Sequence, residues 1–457
     1  LAWIVLFAVS AAESAVIGKE SGPGSASRPV LPLSLKQSVD IALSPHGNIR
    51  SQLTREMINQ AGARSGQARA VLLPNLEASV KGQRQVRSLA AYGMQLNSSI
   101  PGLSFPETVG PYNTIDFRVT LSQQIFNLSA IRRFQAARKN LNAFEAEHER
   151  AGDQVAAETA TAYLEALRSD ADVTVARANT ELSEALLQMA RNKKEAGTGT
   201  GIDVTRAQVQ LSNERQRLLA MENERRKAYF RLLKTMGMTY DIDLTLTETL
   251  GIPPMEEIKE TQAVAVAFAL RRDLKAQQLR GEGARLNYSA ARADRIPALV
   301  GFSDYGAIGT TMDDAEPTWT VGLAVNVPLF EGGRRDARRA ENRSLWHQEK
   351  LKQDDLKKKI ELEIRLALAD RQSSYEQVHV AEKGLDLAQH ELAQARRRYQ
   401  TGITGSLEVT DAQTRLARAR DNRTMAFFNY NMARIKLARA LGTIRPLIGY
   451  HASILGN

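Results

Sequence analysis

Two stretches of the chain contain no proline, one from Pro111 to Pro253 and one from Pro328 to Pro446. Both are rich in Ala, Leu, Arg, Gln and Glu, and their apolar positions recur every three or four residues. One such face reads Ile360, Ile364, Ala367, Arg371, Ser374, Val378, Ala381, Leu385, Ala388, Leu392, Ala395, Tyr399. An interior proline costs a helix about 3 kcal/mol, and a seam of small and branched residues at this spacing marks closely packed helices. The spacing predicts two very long helices, over about 128–196 and 333–401, each roughly 100 Å long. A second seam, Leu362, Leu366, Ala369, Val380 and Leu387, lies beside the first. Two seams mean neighbours on both sides, as in a wall or barrel of helices rather than a two-stranded coil.

Four other segments change period from three or four to two. Leu76, Ala78 and Val80 alternate with Glu77, Ser79 and Lys81; Ile115, Phe117, Val119 and Leu121 alternate with Asp116, Arg118, Thr120 and Ser122. Trp319, Val321, Leu323, Val325 and Val327 alternate with Thr320, Gly322, Ala324 and Asn326, while the segment 298–308 is Gly-rich and less regular. The pattern predicts strands at about 76–88, 115–126, 298–308 and 317–330, with exposed loops over 88–114 and 307–317. Strands of about 9–11 residues, apolar on one face and polar on the other, suit a transmembrane barrel with a wet lumen. Four strands cannot close, and open edges are not tolerated in lipid. The chain must then oligomerise. Two copies give eight strands with a filled interior, and three give twelve with room for a channel. A soluble four-stranded sheet capping a bundle is the other reading of the same pattern.

The two halves repeat each other. Gly197 to Gly237 aligns without a gap on Gly402 to Gly442, matching Val204 to Val409, Thr205 to Thr410, Gln208 to Gln413 and Arg215 to Arg420. ARAVLLPNL at Ala68 resembles ARADRIPAL at Ala291. The chain is one unit duplicated, over 15–250 and 251–457, behind an apolar segment at 1–14. Each copy is expected to hold a short helix (34–43; 261–270), a medium helix (46–72; 271–295), two strands, the long helix, a Gly/Thr turn and a last helix (202–237; 407–441). The medium and last helices, stacked end to end, would run nearly the length of the long one. The fold class is mainly α with a small β part, built as duplicated long-helix hairpins.

Composition narrows the function. Among 457 residues there are 61 basic and 51 acidic side chains, a net charge of +10, and no Cys. Disulfides, thiolate metal sites and Cys nucleophiles are excluded. The basic residues are interleaved with acids along the whole chain, which reads as solvated helix faces rather than a nucleic-acid surface. No apolar run reaches the length of a membrane-spanning helix. Leu1 to Ala12, LAWIVLFAVSAA, reads as the core of a secretory signal or as a buried strand, and 21–32 as a flexible lead-in.

Chemistry is sparse. The six His residues form no metal-ligand pair, and Gly197-Thr-Gly-Thr-Gly follows a helix and lacks the Lys-Ser/Thr of a phosphate loop. No enzyme constellation, cofactor site or metal site is expected. Thr200 and Asp203 fit a capping box, and Ser406 is expected to cap the last helix, with Glu408 in its first turn. Arg334, Arg335, Arg338 and Arg339 follow the last strand, where they would meet lipid head groups or stand solvated on a helix face.

These features together resemble the TolC family of bacterial outer membrane factors over nearly the whole chain. The resemblance rests on the duplication, the junction V-P-L-F-E-G-G at Val327 to Gly333, and the Gly/Thr turns followed by Asp203-Val or Glu408-Val. It implies a homotrimer with a twelve-stranded β-barrel in the outer membrane, continuing as a periplasmic α-barrel. It implies a duct for a tripartite efflux pump or a type I secretion system, partnered by a periplasmic adaptor (a membrane fusion protein), an inner-membrane transporter and outer-membrane lipid. By the matching motif, Glu408, Asp411, Tyr399 and Asp203 would form the periplasmic gate. Tyr399 and Asp203 would tie the inner helix pair shut, although Thr404 stands where the family uses an Arg. The turns carrying Gly197, Thr198, Gly199, Thr200, Gly402, Thr404 and Gly405 would receive the adaptor. A periplasmic adaptor or coiled-coil scaffold is the alternative; adaptors carry one hairpin and an all-β domain, unlike the duplicated hairpins here.

Overall fold

The computed structural model describes residues 30–45, 47–89, 91, 108–255 and 257–449. The segment 1–14 and most of the lead-in, up to residue 29, lie outside the described residues, as does 92–107 of the first loop. In chain order the elements are β1 (Val30–Leu33), α1 (Leu35–Leu43), α2 (Ile49–Ala70), β2 (Asn75–Ser88), β3 (Thr108–Phe126), α3 (Leu128–Glu195), α4 (Gly201–Met236), β4 (Asp243–Leu246), α5 (Glu260–Leu270), α6 (Arg272–Ala293), β5 (Ala298–Gly309), β6 (Glu316–Asn326), α7 (Arg334–Gln400), α8 (Ser406–Leu441) and α9 (Ile444–Gly449).

The long helices α3 and α7 hold 68 and 67 residues, and α4 and α8 hold 36 each. They form one layer. α3 packs on α2 along one half and on α4 along the other, and its opposite side packs on α6 and then α8; α7 lies beyond α6 and α8. The lateral order is therefore α2 or α4, then α3, then α6 or α8, then α7.

The short helices meet end to end. Asn48, the N-cap of α2, accepts from the Arg50 amide at 2.9 Å and donates to the Thr235 carbonyl in the last turn of α4 at 3.0 Å. α4 ends at Gly237 with φ +74°, and a Cβ there would stand 2.5 Å from the Gly47 carbonyl oxygen, so only glycine fits. The second copy makes the same join with Gly442, φ +77°, beside Arg271, whose guanidinium reaches the Ala440 carbonyl at 3.4 Å while pairing with Asp273 and Glu363.

A belt of apolar packing surrounds these joins. Leu33, Val39, Tyr163, Leu232, Leu233, Met236 and Ile444 form one cluster, and Ala263, Ala267, Leu274, Ile360, Ile364 and Leu441 another. Full burial of such a side chain contributes about 1.5–3 kcal/mol. The Tyr163 hydroxyl donates to the Leu33 carbonyl at 3.1 Å, anchoring β1, which pairs in parallel with β4. Neither β1 and β4 nor α9 is expected from the sequence. VLPL and DLTL are too short to display a period, and Pro446 falls in the first turn of α9, where a missing N–H costs little.

The second sheet runs β2-β3-β5-β6, all antiparallel. Its register gathers the apolar positions on one face: Leu76 opposes Leu121, Val80 opposes Phe117, Val119 opposes Tyr305, and Tyr305 opposes Trp319. This face is bare, with Val80 at 70%, Trp319 at 71% and Leu323 at 70% exposure. The other face is polar. There Arg118 bridges Asp116 and Asp304 and donates to the Thr318 hydroxyl at 3.0 Å.

Two strand ends differ from expectation. β3 starts at Thr108 rather than near 115, pairing with β2 beyond a bulge at Gln85/Arg87. β5 stops opposite Ile115, so the stretch with Pro111 needs no donor on that side. β6 ends at Asn326 rather than 330, because Pro328 cannot donate to the ladder.

Replacing Asn48 by Ala removes both a cap and the α4–α2 tie. It should destabilise the chain by about 1–2 kcal/mol, read as a lower denaturation midpoint. An unchanged midpoint would mean that the join is held by apolar packing alone.

Candidate functional site

The tips of the two hairpins carry most of the residues singled out in the sequence. At the first tip Gly197 turns left-handed, φ +69°, and the Thr198 amide donates to the Lys193 carbonyl at 2.9 Å. Thr200 then caps α4. Its hydroxyl accepts from the Asp203 amide at 3.3 Å, and its own amide donates to the Asp203 carboxylate at 3.2 Å. The second tip repeats this geometry, with Gly402 at φ +81° and the Ile403 amide donating to the Arg398 carbonyl at 2.9 Å.

The cap of α8 differs from expectation. Gly405 occupies the N-cap position and offers no side chain, and Ser406 is the first residue of the helix. Its hydroxyl points across to the first hairpin, where it donates to Asp203 and accepts from Arg206 at 2.6 Å. Asp203, Ser406, Tyr399, Gln413 and Ser183 converge on a cavity of about 20 Å³, room for about one water.

The Tyr399–Asp203 bond expected from the resemblance is not made. Tyr399 is buried, but its hydroxyl has no hydrogen-bond partner among the described residues. Asp203 is already engaged by Thr200, Ser406 and, at 3.5 Å, Arg206. What holds Tyr399 instead is Lys193 in the last turn of α3. Its ammonium donates to the Tyr399 carbonyl and stands 4.2 Å from the ring centroid. Lys193 is not apparent from sequence, since a Lys193-Lys194 pair at a helix C-terminus is fully accounted for by the helix dipole.

The two candidate gate acids differ in setting. Glu408 lies 3.6 Å from Arg398, both partly exposed. Asp411 is exposed at the start of α8. In the duplicated alignment the position of Asp411 corresponds to Arg206, so the acidic pair belongs to the second copy alone.

The turns are open to a partner. A Cβ at Gly197, Gly402 or Gly405 would meet nothing within 4 Å among the described residues. Gly199 is the exception, since its Cβ would stand 2.9 Å from Lys193 Cβ. At the far end of α7 the basic cluster is mostly paired. Arg334 and Arg335 both bind Glu331, and Arg338 reaches Asp294 at 3.4 Å.

Burial pushes the Asp203 carboxyl up, but hydrogen bonds from Ser406 and Thr200 outweigh it and hold it below the usual carboxylate range. Burial, and then the Asp203 charge, push the Tyr399 hydroxyl up.

The sequence profile of the outer membrane efflux protein family matches residues 52–238 and 264–443. The pyoverdine export outer membrane protein OpmQ of Pseudomonas putida is 22% identical over 431 residues, covering 89% of this chain and 85% of that protein. The alkaline protease secretion protein AprF of Pseudomonas aeruginosa is 22% identical over 345 residues, covering 73% of this chain and 70% of its own. The crystal structure of the outer membrane protein VceC of Vibrio cholerae superposes with a TM-score of 0.74 at 18% identity, covering 89% of this chain and 96% of that one.

A carboxylate whose value is depressed in the fold contributes stability above the ordinary carboxylate range, near pH 4, and loses it as pH falls below. Amides at the starts of α4 and α8 should keep their hydrogen-exchange protection from pH 8 down to about 5 and lose it in more acidic solution. Asp203→Asn should lower protection at neutral pH and abolish this acid dependence. Acid loss of the same size in the variant would place its origin in another group.

Proposed function

The chain belongs to the outer membrane efflux protein family, and from that premise we propose that three copies close into the exit duct of a tripartite efflux pump or type I secretion system. It is an outer-membrane channel with a large periplasmic portion. The observation that carries the proposal is the two-faced sheet with two open edges. A bare apolar face and a polar, ion-paired face are the two solvents of a membrane barrel, and β2 and β6 leave unpaired backbone that hydrocarbon does not accept. Three sheets of four strands make a twelve-stranded barrel wide enough to conduct.

The helical layer extends the same logic. Leu362, Leu366, Val380 and Leu387 on α7 are each more than half exposed, as are Ile202, Val209 and Leu219 on α4, at the opposite edge. Joining α7 of one copy to α4 of the next covers both seams and closes the wall into a periplasmic tunnel. Each chain supplies two hairpins, so six line the tunnel entrance.

At that entrance Asp411 and Glu408 form the acidic constriction, three residues apart on one face of α8. Arg398 offsets Glu408, which leaves Asp411 the stronger carrier of negative charge. Tyr399 and Asp203 belong to the contacts that keep the entrance narrow. The turns at Gly197–Thr200, Gly402, Thr404 and Gly405 receive a periplasmic adaptor that links the duct to an inner-membrane transporter. Arg334, Arg335, Arg338 and Arg339 stand at the rim of the barrel near lipid phosphate. Sequence relatives are named both for pyoverdine export and for alkaline protease secretion, which supports leaving the choice of substrate to the transporter rather than the duct.

The purified protein in planar bilayers should conduct weakly and be blocked by multivalent cations from the periplasmic side. Asp411→Ala should relieve the block more than Glu408→Ala; equal block in wild type and both variants would move the constriction elsewhere. Gly405→Trp places a bulky side chain in open space, so export should fall while the heat-sensitive trimer persists. Normal export in this variant would count against docking at the second turn.

A further inference from the structure

We propose that Lys193 is the latch of the periplasmic entrance, and that it links the adaptor-facing turn between α3 and α4 directly to the end of α7. This deepens the gate assignment above and rests on it. Lys193 belongs to the first hairpin, whereas its ammonium is spent on the second. The ammonium donates to the Tyr399 carbonyl and lies 4.2 Å from the Tyr399 ring centroid. That carbonyl is among the last of α7, where the helix dipole favours a cation, and the ring is buried, which strengthens a cation–π contact.

The latch has a built-in input. The Lys193 carbonyl accepts from the Thr198 and Gly199 amides, both at 2.9 Å. Gly199 approaches so closely that a Cβ would stand 2.9 Å from Lys193 Cβ and 3.0 Å from its carbonyl carbon. Turn and lysine thus form one rigid piece. A partner pressing on the turn at Gly199 displaces Lys193, and the ring and carbonyl of Tyr399 lose their cation. The copies are asymmetric in this respect. Arg398, which aligns with Lys193, stays within its own hairpin beside Glu408. Among the described residues the lysine beside the first turn thus reaches the other hairpin, whereas its counterpart beside the second turn does not.

The Tyr399 hydroxyl takes no part, because it has no hydrogen-bond partner among the described residues. The latch uses the ring and the main chain, so removing the hydroxyl and removing the ring have different consequences.

The test is the resting conductance of the intact trimer in planar bilayers, with heat stability of the trimer measured alongside. Lys193→Met keeps the length of the side chain and removes the charge. It should raise the open fraction roughly tenfold or more, since the trimer loses three such charge-assisted contacts, one per chain. Lys193→Arg should return it close to wild type, and Tyr399→Leu should raise it far more than Tyr399→Phe, which keeps the ring and the carbonyl. Gly199→Val should act like Lys193→Met, and the double variant should exceed neither single one. Wild-type conductance in Lys193→Met, with Asp411→Ala still relieving cation block, overturns the latch and leaves the gate in place. Wild-type behaviour in both variants removes the gate assignment and the latch with it. A rise in Lys193→Met that Arg does not rescue, or that accompanies loss of trimer stability, also overturns the proposal.

Discussion

A strand in hydrocarbon cannot leave its amides and carbonyls unpaired, and the rest of this molecule is arranged around that requirement. The four-stranded sheet satisfies its inner ladders but ends in β2 on one side and β6 on the other. One chain is therefore an arc of a wall. The helices obey the same geometry, since α7 and α4 bear uncovered apolar seams at opposite edges of a single layer. A fold with two open edges in its sheet and two in its helices is what the proposed ring of copies would complete. In that proposal, closure supplies the backbone partners that the membrane withholds.

Length is the second requirement, and the duplication meets it. A helix of 68 residues needs neighbours along its whole course. α4 followed by α2, and α8 followed by α6, provide them without a single long partner. The joins fall at the apolar belt, where Gly237 and Gly442 let chain ends approach within contact distance. Away from the belt the tip is held by Asp203, Ser406, Arg206 and Lys193, together with a small cluster around Leu392 and Val409. Polar ties of this kind have modest net strength and break without exposing a large apolar surface, which suits the proposed gate.

Much of this was legible from sequence because it is periodic. The proline-free windows and their three- and four-residue period announced both long helices, and the gapless offset between Gly197 and Gly402 anticipated two tips with the same left-handed glycine turn. The Thr200–Asp203 capping box is local and was readable as such. What escaped is non-local or too short for a period. The β1–β4 pair joins residues far apart in the chain through four-residue strands. Ser406 reads as a cap until the structure turns it toward Asp203. Lys193 is one of two lysines at a helix end, and only tertiary packing selects it over Lys194. The expected Tyr399–Asp203 bond failed for a related reason: Asp203 has nearer donors in Thr200, Ser406 and Arg206.

The central claim is that β2 of one copy lies beside β6 of the next. The chain has no Cys, so engineered pairs report without background. Val80→Cys on β2, combined in turn with Cys at Trp319, Val321, Leu323 or Val325 on β6, can be oxidised in intact outer membranes and resolved on denaturing gels. Closure into a ring predicts interchain disulfides in at least one register, with a ladder that stops at the covalent trimer. Monomers throughout the series, or a ladder that runs on past three, would contradict it.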